Sequence, residues 1–420
     1  MKIAIFGLGY VGLTAAGCLC HDGHHVVGVD VNAGKVSDIN KGLTPISEPG
    51  LGDLIAKAVS DGLLVAVQSI DDELSSCDMA IVCVGTPSAP DGSHNMSYIA
   101  EVSRQIAKSA DTVRAQPLTV VYRSTIRPGT IDSLVEPIFR SVLKDKISAV
   151  ELVYNPEFLR ESVAIKDFFS PPKIVIGTRD GKPSANMDAM NANLKSSVFY
   201  TQYREAEFTK FVDNTFHALK VSFANEIGRI CLELDISAAK VHEIFVSDTK
   251  LNISPYYLRP GGAFGGSCLP KDVRALQYIS ADIGVVAPLI DNVIRSNEAH
   301  KHFLFSYAIN DLESGSSVLM VGLAFKADSD DLRESPSIDL ARKLIQAGFE
   351  LSIYDDTLDP SKLVGQNLGY GFSHLPDMST LLVSRETAES RTFDRVLDAN
   401  GFASKLTLKS TNVVRLDRLP

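Results

Sequence analysis

The 420-residue chain predicts an α/β fold: two Rossmann-like, doubly wound parallel-sheet domains joined by a long central helix. Three observations carry this. Short apolar, β-branched runs alternate with helical stretches, the pattern of a mostly parallel sheet with helices on both faces. Residues Arg204 to Leu234 hold a single Gly and no Pro, so they read as one helix. A second strand–helix–strand unit begins at Val318 and loosely echoes the N-terminal one. The length predicts two or three domains, with boundaries placed at 1–202, 203–300 and 301–420, the last appearing shortened.

Lys2–Phe6 reads as a buried strand that meets Gly7-Leu8-Gly9-Tyr10-Val11-Gly12, followed by a helix over Leu13–Leu19. Glycines at this spacing allow a tight turn, close approach of backbone to a pyrophosphate, and helix–strand packing. The helix N-terminus then faces the phosphates. His25–Val29 is the next strand and ends in Asp30, at the spacing of a ribose-binding carboxylate. Asp30 repels a 2′-phosphate, and Val31-Asn32 brings no cation, so NAD is expected rather than NADP. An ordinary glycine-rich turn is the bland alternative; the strand before and the helix after outweigh it.

Further strands are expected at Met79–Val84, Leu118–Tyr122, Val150–Val153 and Ile174–Ile176. Polar clusters close three of them: Gly85-Thr86-Pro87, Ser124-Thr125 and Asn155-Pro156-Glu157. Strand C-terminal ends line the ligand crevice of an open parallel sheet, although turn chemistry accounts for the same residue types. Glu157 and Glu161 lie one helical turn apart and are candidates to move protons or orient water. On the long helix Lys210, Asn214 and His217 fall at i, i+4 and i+7, one stripe, with Asn225 near it. Phe216, Leu219, Phe223, Ile227, Ile230 and Leu234 take the opposite side. A plain amphipathic helix looks the same; Asn and His in place of Glu and Lys favour a polar active-site face.

The loop Ser254–Gly266 carries Tyr256, Tyr257, Arg259 and Gly262, a set suited to a sugar diphosphate because Arg forks to phosphate and glycine admits close approach. A surface loop anchored by two aromatics is the alternative. It leads into Gly265-Gly266-Ser267-Cys268-Leu269-Pro270-Lys271-Asp272. A flexible glycine pair precedes the thiol, and Pro270 opens a helix behind it. Lys271 and a helix N-terminus stabilise a thiolate, which is the nucleophilic form. Taken alone, the segment fits a buried structural cysteine equally well. After the strand Val318–Phe325 come Lys326 and Arg333, phosphate or carboxylate ligands by type, or members of a solvated cluster with Asp328, Asp330 and Asp331. A helix from Pro336 and the strand Glu350–Tyr354 complete the second unit, which lacks the glycine fingerprint.

The net charge of −10 argues against nucleic-acid or anionic-membrane surfaces. The six cysteines show no zinc-site spacing, so no metal is expected and a reduced, cytoplasmic protein is the simplest fit. No leader is expected at the N-terminus, and no apolar run is long enough to span a membrane.

The ordered set Gly7–Gly12, Val84-Gly85-Thr86-Pro87, Ser124-Thr125, Asn155–Leu159, Gly265–Cys268 with Pro270-Lys271-Asp272, and Phe325-Lys326 with Asp331-x-Arg333-Glu334-Ser335-Pro336 resembles the UDP-glucose/GDP-mannose dehydrogenase family over nearly the whole chain. The resemblance implies oxidation of a nucleotide-sugar C6 alcohol to a carboxylate with two NAD per turnover. It implies that Tyr10, Val11, Asp30, Lys35, Thr86, Thr125 and Lys271 contact NAD. Cys268 would hold the sugar as thiohemiacetal and thioester, and Lys210 and Asn214 would stabilise oxyanions. Glu157, Glu161 and Asp272 would handle water and protons, with Thr125 also in the catalytic set. His217, Asn225, Tyr256, Tyr257, Arg259, Gly262, Lys326 and Arg333 would hold the substrate with Glu161, Lys210 and Asn214. The stretches Leu251–Ser254, Tyr256–Gly261 and Asn214–Lys220 favour GDP-mannose, feeding an exopolysaccharide such as alginate; UDP-glucose comes second. The resemblance further implies a homodimer or dimer of dimers around the long helix, with exchange of the C-terminal domain. One departure stands out: after Leu381–Ser384, the segment Arg385–Arg391 replaces the expected helix and strand. The next strand is expected only at Asn412–Leu416, which would leave the last domain one strand–helix step short. A binding protein without turnover and a two-electron alcohol dehydrogenase are the rival readings.

Overall fold

The computed structural model describes residues 1–70, 72–87, 95–160, 162–255, 257–258, 261–266, 268–326, 329–363 and 365–419. Two compact units divide between His217 and Ala218. In the first, eight strands are β1 (Lys2–Phe6), β2 (His25–Val29), β3 (Leu64–Val67), β4 (Met79–Val82), β5 (Leu118–Tyr122), β6 (Val150–Tyr154), β7 (Ile174–Thr178) and β8 (Val198–Gln202). They form one sheet in the order β3-β2-β1-β4-β5-β6-β7-β8. All neighbours run parallel except β6 and β7, which are antiparallel. The chain order reverses beside β1, the switch point where doubly wound sheets bind ligands. The helices are α1 (Tyr10–His21), α2 (Ala33–Asn40), α3 (Leu51–Ser60), α4 (Ser97–Ser109), α5 (Glu136–Leu143), α6 (Ala164–Phe169), α7 (Ala185–Asn191) and α8 (Tyr203–Glu233).

Strand alternation divides the core. Ala4 and Phe6 pack in one layer with Ile99 and Phe139, while Ile3 and Ile5 join Leu13, Leu19, Leu51 and Ile55 in the other. Both faces are covered, which is why β1 reads as a continuous apolar run. The start of α8 is fastened to the sheet: the Tyr203 hydroxyl donates to the Leu152 carbonyl at 3.0 Å. Buried Glu207 accepts the backbone N–H groups of Gly129 and Ile131. Beyond this anchorage the helix changes character. Phe216 is 37% exposed, Leu219 44% and Leu234 42%, while Ile230 is 4% exposed. The apolar side of the helix is therefore largely exposed.

In the second unit the helices are α9 (Ala238–Ser247), α10 (Leu269–Asp282), α11 (Pro288–Ala308), α12 (Pro336–Gln346), α13 (Gly365–His374), α14 (Met378–Leu381) and α15 (Arg385–Ser390). The strands are β9 (Ser317–Val321), β10 (Glu350–Tyr354), β11 (Arg395–Asp398) and β12 (Val413–Arg415), all parallel in the order β10-β9-β11-β12. The segment expected to interrupt the pattern instead supplies α15, capped by Ser384, and leads into β11. β11 is central and fully buried, with Arg395 Nη1 donating to the carbonyls of Ala308 and Asn310 at 3.0 and 2.7 Å. The charged ends of this short strand hid it from a hydrophobic reading.

The echo between the two strand–helix–strand units is closer than the sequence implies. Gly7 and Gly322 have φ of 92° and 96°, and their N–H groups donate to Val29 and Tyr354 at 2.8 Å. The next N–H, of Leu8 or Leu323, goes to a carboxylate at the end of the second strand: Asp30 Oδ2 at 3.0 Å or Asp355 Oδ2 at 2.8 Å. β9 ends at Val321 rather than Phe325 because Gly322 turns the chain there. β4 likewise ends at Val82, short of the expected Val84.

Candidate active site

In the first unit the candidate cofactor site is the turn from β1 to α1. A Cβ on Gly12 would lie 1.9 Å from the Gly7 carbonyl oxygen, so only glycine lets α1 start this close to the turn. A Cβ on Gly9 would meet no described atom within 4 Å, and no side chain caps the helix. The first-turn N–H groups of a helix lack intrahelical partners, so open space over Gly9 beside an uncapped N-terminus suits a dinucleotide's phosphates. Tyr10 and Val11 form that first turn. Asp30 accepts from Leu8 N and, at 2.9 Å, from Asn32 N, and its Oδ2 lies 3.5 Å from Lys35 Nζ. Asp355 does the same backbone work in the other unit, so the strand-end carboxylate shapes the turn as well as presenting charge. Thr86 and Thr125 meet where β4 and β5 end: the Thr86 hydroxyl donates to the Thr125 carbonyl at 2.9 Å.

The loop after β6 is built around carboxylates. Buried Asn155 donates to the Val175 carbonyl at 2.8 Å. Glu157 accepts from Leu159 N at 2.7 Å. Lys210, 8% exposed, places Nζ 3.0 Å from Glu157 Oε1 and 2.7 Å from the Glu157 carbonyl. The Phe158 ring lies 5.5 Å from Lys210 Nζ and 4.8 Å from Lys173 Nζ, and Lys173 pairs with Asp213 at 2.6 Å. Two of the predicted residues, Glu157 and Lys210, are thus brought into direct contact from 53 residues apart. Asn214 and His217 are exposed on the following turns of α8. Glu161 lies outside the described residues.

Glu48, from the loop before α3, went unnoticed in the sequence because a lone Glu in a Pro/Gly loop has no motif. Burial raises its carboxyl, but hydrogen bonds from the Tyr10 hydroxyl and from Ala164, Ser162 and Ile165 N–H outweigh this and hold it below the ordinary range.

In the second unit Cys268 is exposed, whereas Cys18, Cys20, Cys77 and Cys231 are buried. Burial pushes the Cys18 and Cys20 thiols up to about 12, so they are poor thiolates. Cys268 caps α10, with Asp272 N donating to its carbonyl at 2.9 Å and Pro270 in the first turn. This thiol is therefore not a buried packing residue. The preceding glycines are packed rather than flexible. A Cβ on Gly265 would lie 2.3 Å from the Glu334 carbonyl oxygen, and one on Gly266, at φ 83°, 2.8 Å from the Phe325 ring. A cavity of about 790 Å³ is lined by Cys268, Lys271, Arg274, Arg333, Glu334 and Tyr370. Arg333 is forked onto Asp331 at 2.9 and 2.8 Å, and Arg274 onto Glu334 at 3.0 and 3.1 Å.

Tyr257, Gly262 and Lys326 line a second cavity, of about 520 Å³, with Lys301 and Lys343. The N-terminus of α12 opens into it at Pro336 and Ser337, adding positive potential to three lysines. Lys301 and Lys343 were missed because a lysine on a helix face reads as solvated surface. Asn225 and Asp272 are exposed and belong to neither lining; Asp272 pairs with Lys271 at 3.4 Å. Tyr256 and Arg259 lie outside the described residues.

A doubly wound sheet whose glycine turn opens at the switch point, with an exposed thiol and cation-lined cavities in a second parallel-sheet unit, defines a dinucleotide-dependent enzyme of anionic substrates. Comparison with known proteins makes the class specific. The UDP-glucose/GDP-mannose dehydrogenase family models match in order: the NAD binding domain at residues 1–195, the central domain at 204–299 and the UDP binding domain at 319–404. The chain is 44% identical over 386 residues to GDP-mannose 6-dehydrogenase of Azotobacter vinelandii, covering 91% of this chain and 88% of that one. It is 36% identical over 359 residues to a UDP-glucose 6-dehydrogenase of Bacillus subtilis, covering 84% and 79%. The crystal structure of a ternary complex of GDP-mannose dehydrogenase from Pseudomonas aeruginosa superposes with a TM-score of 0.91 at 39% identity, covering 99% of this chain and 96% of that one. The chain belongs to the UDP-glucose/GDP-mannose dehydrogenase family and is an NAD-dependent nucleotide-sugar dehydrogenase.

Proposed function

We propose that the protein oxidises GDP-mannose at C6 to GDP-mannuronate, with Cys268 as the covalent nucleophile. The observation that carries the chemistry is an exposed thiol at the start of α10, in a cavity with Lys271, Arg274 and Arg333. The substrate rests on the similarity to GDP-mannose 6-dehydrogenases. NAD, when bound, supplies a two-electron hydride acceptor for each of two oxidations, held by the backbone at Gly7, Gly9 and Gly12 and by Tyr10, Val11, Asp30, Lys35, Thr86, Thr125 and Lys271.

The C6 alcohol first loses a hydride and a proton to give the aldehyde. The Cys268 thiolate adds to the aldehyde carbon, forming a C–S bond and an oxyanion that becomes a thiohemiacetal. Loss of a second hydride and the hydroxyl proton gives a thioester. Water then attacks the thioester carbon, the C–S bond breaks, and carboxylate and thiol are released. Lys210 and Asn214 are assigned to the oxyanions, where one such donor contributes about 3 kcal/mol to the barrier. Glu157, already bonded to Lys210, is favoured over Asp272 for orienting water; Glu161 stays a candidate. His217, Asn225, Tyr256, Tyr257, Arg259, Gly262, Lys326 and Arg333 hold the nucleotide sugar. UDP-glucose is the second reading, favoured by the Bacillus subtilis relative and by the match to a UDP binding domain. The exposed apolar residues Phe216, Leu219 and Phe223 of α8 support a homodimer, and six free cysteines support a reducing, cytoplasmic setting.

The test counts NADH formed per sugar with each nucleotide sugar. Two per GDP-mannose supports the thioester route; one per sugar sinks it, and preference for UDP-glucose overturns the substrate. Cys268→Ser should form no acid product while binding both ligands.

A further inference from the structure

We propose that Glu48 is a positioning residue for the oxidation, its one carboxylate tying the turn that carries Gly7–Gly12 to the loop that carries Glu157. The inference rests on the NAD-dependent reading for its kinetic readout, and on NADH binding independently of any sugar.

The carboxylate is 7% exposed and collects donors from two separate segments. One oxygen takes the Tyr10 hydroxyl and, at 2.8 Å, Ser162 N; the other takes Ala164 N at 2.9 Å. Tyr10 is the first residue of α1. Ser162 and Ala164 stand 114 and 116 residues away in sequence, Ser162 between the Glu157 turn and α6 and Ala164 at the first position of α6. Ser162 has φ 69°, a conformation that costs an L residue energy and persists only where its surroundings hold it. Here the Ser162 N–H is fastened to Glu48. The other carboxylates that shape this loop belong to it: Glu157 accepts from Leu159 N, and Asp167 accepts from Arg160 N at 3.0 Å and from its guanidinium. Glu48 alone among these carboxylates comes from outside, so it sets where the loop stands relative to the cofactor turn.

An ionised carboxylate offers acceptor lone pairs to all these donors without turning a hydrogen towards any of them. Gln at this place keeps one acceptor oxygen and turns an NH₂ group towards N–H donors. A displacement of about 1 Å in such a loop costs up to a hundredfold in rate. The test compares Glu48→Gln, Glu48→Asp, Tyr10→Phe and the Tyr10→Phe/Glu48→Gln pair, measuring NADH dissociation constants by nicotinamide fluorescence, kcat and KM for the sugar, and thermal midpoints. Glu48→Gln should lower kcat between about tenfold and a hundredfold in fully folded protein and weaken NADH binding. Glu48→Asp, which keeps the charge, should recover part of the kcat. Tyr10→Phe should weaken NADH binding, and the pair should bind NADH no worse than Glu48→Gln alone, because both cut the same link. A Glu48→Gln protein with wild-type kcat and NADH affinity and only a lower midpoint makes the residue purely structural and overturns the proposal. Additive NADH effects in the pair overturn the link. If Glu48→Gln does not fold, Tyr10→Phe decides, and wild-type NADH affinity there refutes the tie. A chain inactive on every nucleotide sugar that still shows the NADH pattern refutes the proposed substrate, not Glu48.

Discussion

The glycine turn permits a prediction in which two neighbouring substitutions have opposite effects. Gly9 has φ −76° and ψ −168°, extended backbone open to any residue, and an added Cβ meets no described atom within 4 Å. Gly9→Ala therefore removes unfolded-state freedom without strain, a gain of about 0.4–1 kcal/mol, or roughly 1–4 °C for a unit of this size. Its cost falls on the cofactor, because the methyl occupies the space through which backbone approaches pyrophosphate. Gly12→Ala does the reverse. Its Cβ would sit 1.9 Å from the Gly7 carbonyl oxygen and 3.2 Å from the Cys83 Cβ, and the first contact is backbone that cannot swing aside. Relief requires α1 to move off the turn, at the upper end of the ~1–3 kcal/mol typical of overpacking or beyond. The better helix propensity of Ala returns only about 1 kcal/mol. Thermal scans without ligand, paired with NADH titrations by nicotinamide fluorescence, separate the two. Gly9→Ala should hold or raise the midpoint and weaken NADH at least about tenfold. Gly12→Ala should lower the midpoint by roughly 4–10 °C. Wild-type NADH affinity in Gly9→Ala, or a wild-type midpoint in Gly12→Ala, refutes the reasoning.

Other consequences are equally direct. Lys210→Ala leaves the Glu157 carboxylate without its cation and should cost on the order of 3 kcal/mol, measured by urea unfolding; adding Glu157→Ala should return much of it, a coupling read by the double-mutant cycle. Gly177→Ala brings a Cβ to 2.7 Å from that of Ala206 where α8 meets β7, so it should destabilise the first unit by about 1–3 kcal/mol in the same assay. Burial, then the nearby Asp417 charge, raises the Asp398 carboxyl in the folded state. A raised folded value means the native state holds its proton longer than the unfolded chain, so this group removes stability as pH rises through that window. Asp398→Asn should therefore melt higher than wild type at neutral pH. The difference should shrink as pH falls and vanish below the ordinary aspartate value of 3.8; a constant difference across pH contradicts the assignment.

Local pattern accounts for what was legible in advance. β1, β2, β5 and β10 match their expected bounds, and α8 lies one residue from its expected ends, because continuous burial and an unbroken helical run are written in neighbouring residues. The glycine turn and the thiol before Pro270 were legible for the same reason: each needs particular residues at short spacing. β3, with Val65 exposed, and β8, an edge strand half open to solvent, lacked that signature. β11 is buried with Arg and Asp at its ends, and the partners of Arg395 lie more than eighty residues away in sequence.

The amino-acid sequence by itself determined the class of fold, the dinucleotide turn and the family, and it singled out Cys268 as the candidate nucleophile. Tertiary structure alone decided which long-range neighbours those residues have. It set Lys210 on Glu157, Glu48 between Tyr10 and Ser162, Lys301 and Lys343 beside Lys326, and Asp355 in the role of Asp30. The reason is physical: a helix or turn is selected by residues a few positions apart, whereas a buried charge is tolerated only where folding brings its hydrogen-bond partners from elsewhere in the chain.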